Sequence, residues 1–502
     1  MSGFLISTPF RTVKGWSWLD ASIGMYLALP LIVFLAAWLR PLYSIPTLIA
    51  LVYFASNLFS RRRFMQERIP AGICFGLALL ALGWVALGGT GHWFYANVDW
   101  VFRDALLRDL VVTPWPPQYI GGDGESLIMR APIAYFLPAA LVGHFAGLAA
   151  AHVVLYVWTA LGFFLVLTSV CQLFEVKGQK LIAVALVLGF GGLDLLGYLA
   201  INRQLPVVGE HIEWWAGFAQ FSSNSTLLYW VPNHALPAWL GTVLVLRHWR
   251  GSELARLAPL LGACIPLWSP LAALGLVPII LMGINWSQDA KVLFAPKRFV
   301  PAAILALLCI CYLTMGSGTI PGEWIFENPQ NVAALFNLYV LLCFLEFGIL
   351  ALLILRLRAG SGLVLMAMAL LLVMPAYKFG YGNDLVMRAS IPALLVLALS
   401  TVRPLTEPGH LGWRIILAVV LGIGAVGAMQ EPARAVVSPR WPAMDISLTD
   451  ASREYSGIAA PVTYVSKLDS RVLRALLREP VLVRSSLTAG GRYPPGEDEN
   501  GR

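Results

Sequence analysis

The stretch NVDWVFRDALLRDL, residues 97–110, carries three aspartates and two arginines inside an otherwise apolar chain. Asp99/Arg103 and Asp104/Arg108 stand at i,i+4 spacing, and Asn97 or Asp99 suits a helix N-cap. Val98, Phe102, Ala105, Leu106 and Leu110 form one apolar stripe, so the segment is expected to be an amphipathic helix lying on a membrane surface. One reading is a solvated interfacial helix with ordinary ion pairs, and Asp104 and Asp109 fit it as surface charges. Asp99 differs by position, because it follows the third apolar block directly. That boundary is where a headgroup-linked substrate would present its reactive atom, and Arg103 stands one turn from Asp99.

Four further stretches carry groups of this kind. YKFGYGNDLVMR (377–388) gathers Lys378, Tyr381, Asn383, Asp384 and Arg388 at the mouth of an apolar block. Its two cations suit a phosphate or pyrophosphate leaving group; the alternative pairs Arg388 with Asp384. YWVPNHALPAW (229–239) sets Asn233 and His234 in the first turn of a helix, facing water or a cavity. HIEWW (211–215) offers rings able to stack on a sugar. GGDGES (121–126) places Asp123 and Glu125 where they bind a divalent metal or sugar hydroxyls, or merely make a Gly-Asp-Gly turn. A metal is thus possible and no cofactor is certain. Asp194 and Glu346 fall inside apolar blocks, where acids point to a cavity or a proton path.

The elements that must position these groups are helices in a bilayer. The 502-residue chain is 58% hydrophobic and 12% charged, more apolar surface than soluble cores of this length hide. Apolar blocks recur near 20–39, 42–59, 71–88, 150–171, 181–200, 231–246, 299–315, 331–355, 362–376, 388–402 and 413–429. A longer block at 257–284 is expected to split at PLWSP (266–270). The expected fold is an all-α membrane protein of about 13 transmembrane helices, with amphipathic juxtamembrane helices in a long first outer loop. The segment PIAYFLPAALVGHFAG (132–147) is read as a helix at the interface, too short to span. Four parts result: a three-helix segment (1–88), an outer loop (89–149), a transmembrane bundle (150–429) and a polar, Pro-rich, partly disordered tail (430–502), with a small helical cap near 466–478.

With a cytoplasmic amino terminus, the inner loops hold Arg61, Arg62, Arg63, Arg68, Lys177, Lys180, Arg247, Arg250, Arg256, Lys291, Lys297, Arg298, Arg356, Arg358, Arg403 and Arg414. These outnumber the outer Arg40, Arg103, Arg108, Arg130, Arg203, Lys378 and Arg388, so the expected location is the cytoplasmic membrane with the carboxyl terminus outside. The net charge of +8 is accounted for by topology and does not point to nucleic acid. The first apolar block reads as an anchor, not a cleaved signal. The six cysteines lie in apolar blocks and read as small hydrophobes.

An apolar helix, a long outer loop with an Asp just past the membrane, the 97–110 helix and the Pro132–Gly147 segment together resemble the GT-C superfamily of polytopic glycosyltransferases. NVDWVFRDALLRDL is similar to a first-loop pattern N-x-D-W-x-x-H-x-A-x-L-x-D-L, with Arg103 where that pattern has His. The resemblance covers mainly residues 71–172. It implies a polyprenyl-phosphate sugar donor, a glycan or lipid acceptor, and a first-loop Asp, here Asp99, that takes the acceptor proton. It further implies a late outer-loop cation, here Lys378 or Arg388, on the leaving phosphate. Asn97, Arg103, Asn233, His234, Tyr381, Asn383 and Asp384 are the remaining candidate substrate contacts. A transporter or flippase of lipid-linked glycans, a polysaccharide polymerase or ligase, and an envelope scaffold are the alternatives. Only one helix break is evident, at 266–270, with no counterpart of the sort inverted repeats would supply.

Overall fold

A computed structural model of the chain describes residues 10–484 except 14, 60–66, 68, 328–329, 358–360, 410 and 459–460. Arg61, Arg62, Arg63, Arg68 and Arg358, and the tail beyond 484, lie outside the described residues.

The chain is nearly all helical, and a helix or an interrupted helix stands at each apolar block. Among the described residues, six are long and apolar enough to cross a membrane: Trp18–Trp38, Leu148–Gln172, Lys177–Asn202, Pro296–Thr314, Val332–Arg356 and Leu411–Val437. The protein is therefore a helical membrane protein. Other apolar helices, such as Ala71–Leu87 and Pro270–Gly283, are shorter. The 257–284 block divides at Ser269, whose hydroxyl accepts from the backbone N–H of Ala272 while Pro270 occupies the first helical turn.

Two interruptions differ from the sequence reading. Lys177–Asn202 is broken at Phe190–Leu193, leaving the half-helices Lys177–Gly189 and Asp194–Asn202. Val332–Arg356 contains a π turn, Phe344–Gly348, centred on Glu346. Neither carries a proline, which is why the pattern did not announce them.

On the opposite side of the bundle from the first helix's start, the first loop builds a small layer of its own. The helix Asp99–Val112 is followed by a hairpin, Pro117–Ile120 with Ser126–Met129, and then by the short helix Leu137–Ala146. Gly147, at φ 86°, turns that helix back along Leu148–Gln172. The segment after residue 430 differs from a loose tail. The last apolar helix runs on to Val437, and the chain then makes helices Leu448–Ser456 and Arg471–Leu476. Its strands Val465–Lys467 and Val481–Leu482 flank the first-loop hairpin in a four-stranded sheet. Each strand is only two or three residues long, so the pairing comes from distant partners and not from local pattern.

This docking corrects the interfacial reading of the 97–110 helix. From Trp100 to Val111 every side chain but Phe102 is buried, Asp104 and Asp109 almost completely. Asp109 Oδ2 accepts from the N–H of Leu448 at 2.9 Å and from the Tyr119 hydroxyl at 3.1 Å, and Oδ1 accepts from Arg108 at 3.0 Å. Asp104 Oδ2 accepts from Met444 N–H and faces His92 Nε2, both at 2.9 Å. The polar face of the amphipathic pattern thus meets folded polypeptide, not water. The expected Asp104–Arg108 pair gives way to Arg108 with Asp109 and Asp445.

Candidate functional site

Asp99 opens its helix, and the helix is fixed where it starts. Asn97 Oδ1 accepts from the Asp99 N–H at 3.2 Å, while Asn97 Nδ2 and Trp100 Nε1 each donate to the Tyr229 carbonyl at 3.1 Å. Upstream, Gly89 turns at φ 81°, where a Cβ would meet Ala96 and Trp100 at 2.9 Å. Asn97 is therefore a positioning residue, and it borders a different, narrow cleft with Glu431 and Arg434.

From this fixed start Asp99 faces a cavity of about 300 Å³. The first loop contributes Asp99, Arg103 and Arg130; the 229–239 stretch contributes Asn233 and His234; the 377–388 stretch contributes Phe379, Asp384 and Arg388. The C-terminal segment closes the ring with Thr463 and Tyr464. Six candidates from the sequence thus share one space.

Their contacts leave capacity unused. Asp99 Oδ2 accepts from Arg103 Nη2 at 3.0 Å, yet the Asp99 side chain stays 43% exposed, so its carboxylate is reachable from the cavity. Arg103 keeps Nη1 buried without an acceptor. Arg130 donates through Nη2 to the Val462 carbonyl at 2.8 Å and keeps Nε buried without an acceptor; burial pulls its guanidinium below the ordinary arginine range. Arg388 pairs with Asp384 one turn away. His234 Nδ1 meets the Ser269 hydroxyl at 2.7 Å, and Nε2 lies 3.2 Å from Asn233 Nδ2. Three guanidiniums face two carboxylates, and two buried N–H groups await an acceptor: the chemistry of an anion site beside a candidate base.

The remaining candidates lie elsewhere. Lys378 belongs to a short strand, Tyr377–Phe379, paired with Gly322–Trp324. Side chains alternate along a strand, so Phe379 reaches the cavity and Lys378 turns away, 3.7 Å from Glu323. Tyr381 is exposed and does not line the cavity. Asn383 is buried at φ 56° and donates to the Phe218 carbonyl at 3.1 Å, holding its turn. Asp123 and Glu125 lie in the hairpin turn, where Glu125 pairs with Lys467. No cluster of three metal-ligand side chains occurs among the described residues. Trp215 of HIEWW is buried and donates to Glu346 at 2.9 Å.

Arg130 and Tyr464 escaped the sequence reading. Arg130 looked like one more loop cation. Tyr464 lies in the polar, Pro-rich segment just before the expected helical cap, where the helix Arg471–Leu476 is found, and VTYVSK (462–467) carries a strand signal of its own. The Tyr464 ring stacks at 5° on Phe102, centroids 6.2 Å apart, and burial raises its hydroxyl above the ordinary tyrosine value.

Compared with protein families, curated proteins and solved structures, the chain matches none.

Proposed function

We propose that the protein is a GT-C-like glycosyltransferase. It transfers a sugar from a polyprenyl-phosphate donor to a glycan or lipid acceptor at the outer face of the cytoplasmic membrane. The single observation that supports this is the shared cavity: Asp99 and Arg388, brought from distant parts of the chain, border one space with Arg103, Arg130 and His234. In this reading the acceptor hydroxyl loses its proton to the accessible Asp99 carboxylate and attacks the anomeric carbon. The bond from that carbon to the phosphate oxygen breaks, and the departing phosphate takes up the unused donors of Arg103 and Arg130 beside Arg388. About 13 spans with a cytoplasmic amino terminus would set this cavity at the outer leaflet, where a lipid-linked donor enters sideways. Lys378 is left out of the phosphate site, since its ammonium is directed at Glu323.

The test uses membranes containing the full chain and a panel of radiolabelled polyprenyl-phosphate sugars. Transfer by the wild type and its loss in Asp99→Asn, with normal insertion, support the reading. An Asp99→Asn protein that transfers at the wild-type rate sinks it. A transporter is the second reading, favoured by the helix interruptions at Phe190–Leu193 and Phe344–Gly348. Movement of a lipid-linked glycan across proteoliposomes without sugar transfer would select it.

A further inference from the structure

Asp194 and Glu346 lie apart from the cavity. Asp194 begins the second half of the broken helix, and Glu346 sits in the π turn of its neighbour. The two interruptions meet: Leu193 N–H donates to the Leu345 carbonyl at 3.3 Å, and a Cβ on Gly192 would collide with Glu346 Oε2. Side chains and backbone of the 223–225 turn satisfy part of the broken backbone. Asn224 N–H donates to the Phe190 carbonyl, Asn224 Nδ2 to Leu186 and Ser225 Oγ to Leu188. A π turn and a helix break at one point are features that recur at functional sites in helices.

Both carboxyls are buried, at 0% and 2% exposure, on the two segments that the Leu193–Leu345 bond ties together. Trp215 Nε1 donates to Glu346 Oε1. No protein donor reaches Asp194 Oδ1, Asp194 Oδ2 or Glu346 Oε2, and neither acid forms an ion pair among the described residues. Two ionised carboxylates close together and out of water repel strongly, and one proton shared by the pair removes that repulsion.

The charged groups around the pair do not supply the missing cation. Glu213, from the 203–223 segment, adds negative charge, although Ser223, Thr226 and Gln220 satisfy its oxygens. Cys343 stands one turn before Glu346. On the Leu411–Val437 helix, Glu431 is paired with His211 at 2.9 Å and the Arg434 Nε donates to the Gly209 carbonyl. A polar chain leads outward: Glu213 to Gln220 at 2.9 Å, Gln220 to His211 at 3.3 Å, His211 to Glu431. Glu431 borders the cleft that also holds Asn97.

We propose that Asp194 and Glu346 form a one-proton binding site inside the helical bundle. The inference does not depend on the glycosyltransferase reading.

Dicyclohexylcarbodiimide, an apolar reagent for protonated carboxyls, tests it on the full chain in lipid nanodiscs, with adducts mapped by mass spectrometry. The expected result is an adduct on Asp194 or Glu346 that falls about tenfold for each pH unit above the pair's titration point. Sodium at fixed pH leaves it unchanged. In Glu346→Gln the carboxamide donates to Asp194, which then ionises alone, so labelling at Asp194 drops; Asp194→Asn does the same for Glu346. No adduct on either residue at any pH overturns the proposal. So does protection by sodium, which would make this a metal-cation site, or labelling of each acid that ignores replacement of the other. If the variants fail to fold, the wild-type pH and sodium series decides by itself.

Discussion

The two ends of the Asp99–Val112 helix use the same side chain for opposite purposes. Asp109 is fully buried, and both its oxygens are bound by Leu448, Tyr119 and Arg108. Asp99 makes one ion pair and remains open to the cavity. A carboxylate whose bonds are complete holds structure, because any change leaves donors stranded. One whose bonds are incomplete, among arginines that are also incomplete, has room for a substrate. The difference cannot be read from the helix alone, since the C-terminal segment completes Asp109 and also brings Tyr464 to the cavity.

The strongest way to break this contrast is Asp99→Asn. A lost general base is expected to cost transfer about 10²–10⁴-fold. Losing a half-exposed ion pair should cost less than about 1 kcal/mol of stability. Rate and unfolding midpoint measured on the same detergent-purified sample separate the two. A large fall in stability would make Asp99 another structural acid.

Asp109→Ala should reverse that pattern. Three donors lose their acceptor, an expected cost of about 2–4 kcal/mol. Limited proteolysis should then cut between the Leu411–Val437 helix and the strand at Val465 faster than in the wild type. If the cutting rate does not change, Asp109 is not the anchor of the C-terminal segment.

Asp109 also sharpens the comparison through pH. Burial pushes its carboxyl up from 3.8 to about 6, against the lowering effect of Leu448 N–H and Arg108. A raised folded value means the protonated form is favoured on folding. That contribution is complete below about pH 4 and is lost as pH rises through about 6, at most about 3 kcal/mol. Asp109→Asn cannot ionise, so the wild-type-minus-variant stability should decline over this window and then level off. A difference that rises with pH would show the ionised form to be the preferred one.

What the sequence disclosed follows from the range of the forces involved. Apolar runs located the helices, because length and hydropathy are local, and Pro270 with Ser269 marked the break at PLWSP. The Phe190–Leu193 break and the π turn depend on packing between two helices, and only the Gly191–Gly192 pair hinted at the first. The periodicity of 97–110 gave an apolar stripe that the structure does not keep, since Val98 is exposed and Phe102 half-buried while Arg103, Asp104, Arg108 and Asp109 are buried. It could not say whether the polar face met water or the chain's own carboxyl-terminal part, which lies far off in sequence. Local signals single out Asp99, Arg103, Asn233, His234, Asp384 and Arg388, whereas Arg130 and Tyr464 join them only through the fold.

Lys378 and Arg388 were grouped by proximity in sequence, and the strand Tyr377–Phe379 separates them. The smallest expected effect therefore belongs to Lys378→Gln. Its ion pair with Glu323 is long and mostly exposed, worth under about 1 kcal/mol. Sugar transfer should remain within about twofold of wild type, because no transition-state charge lies beside it. Arg388→Gln should instead remove a cation from the cavity and strand Asp384, lowering transfer by about 10²-fold or more. Parallel assays of the two variants check the point directly. Equal losses would mean that Lys378 swings into the cavity when donor binds, and that the alternation of this strand does not decide which cation meets the phosphate.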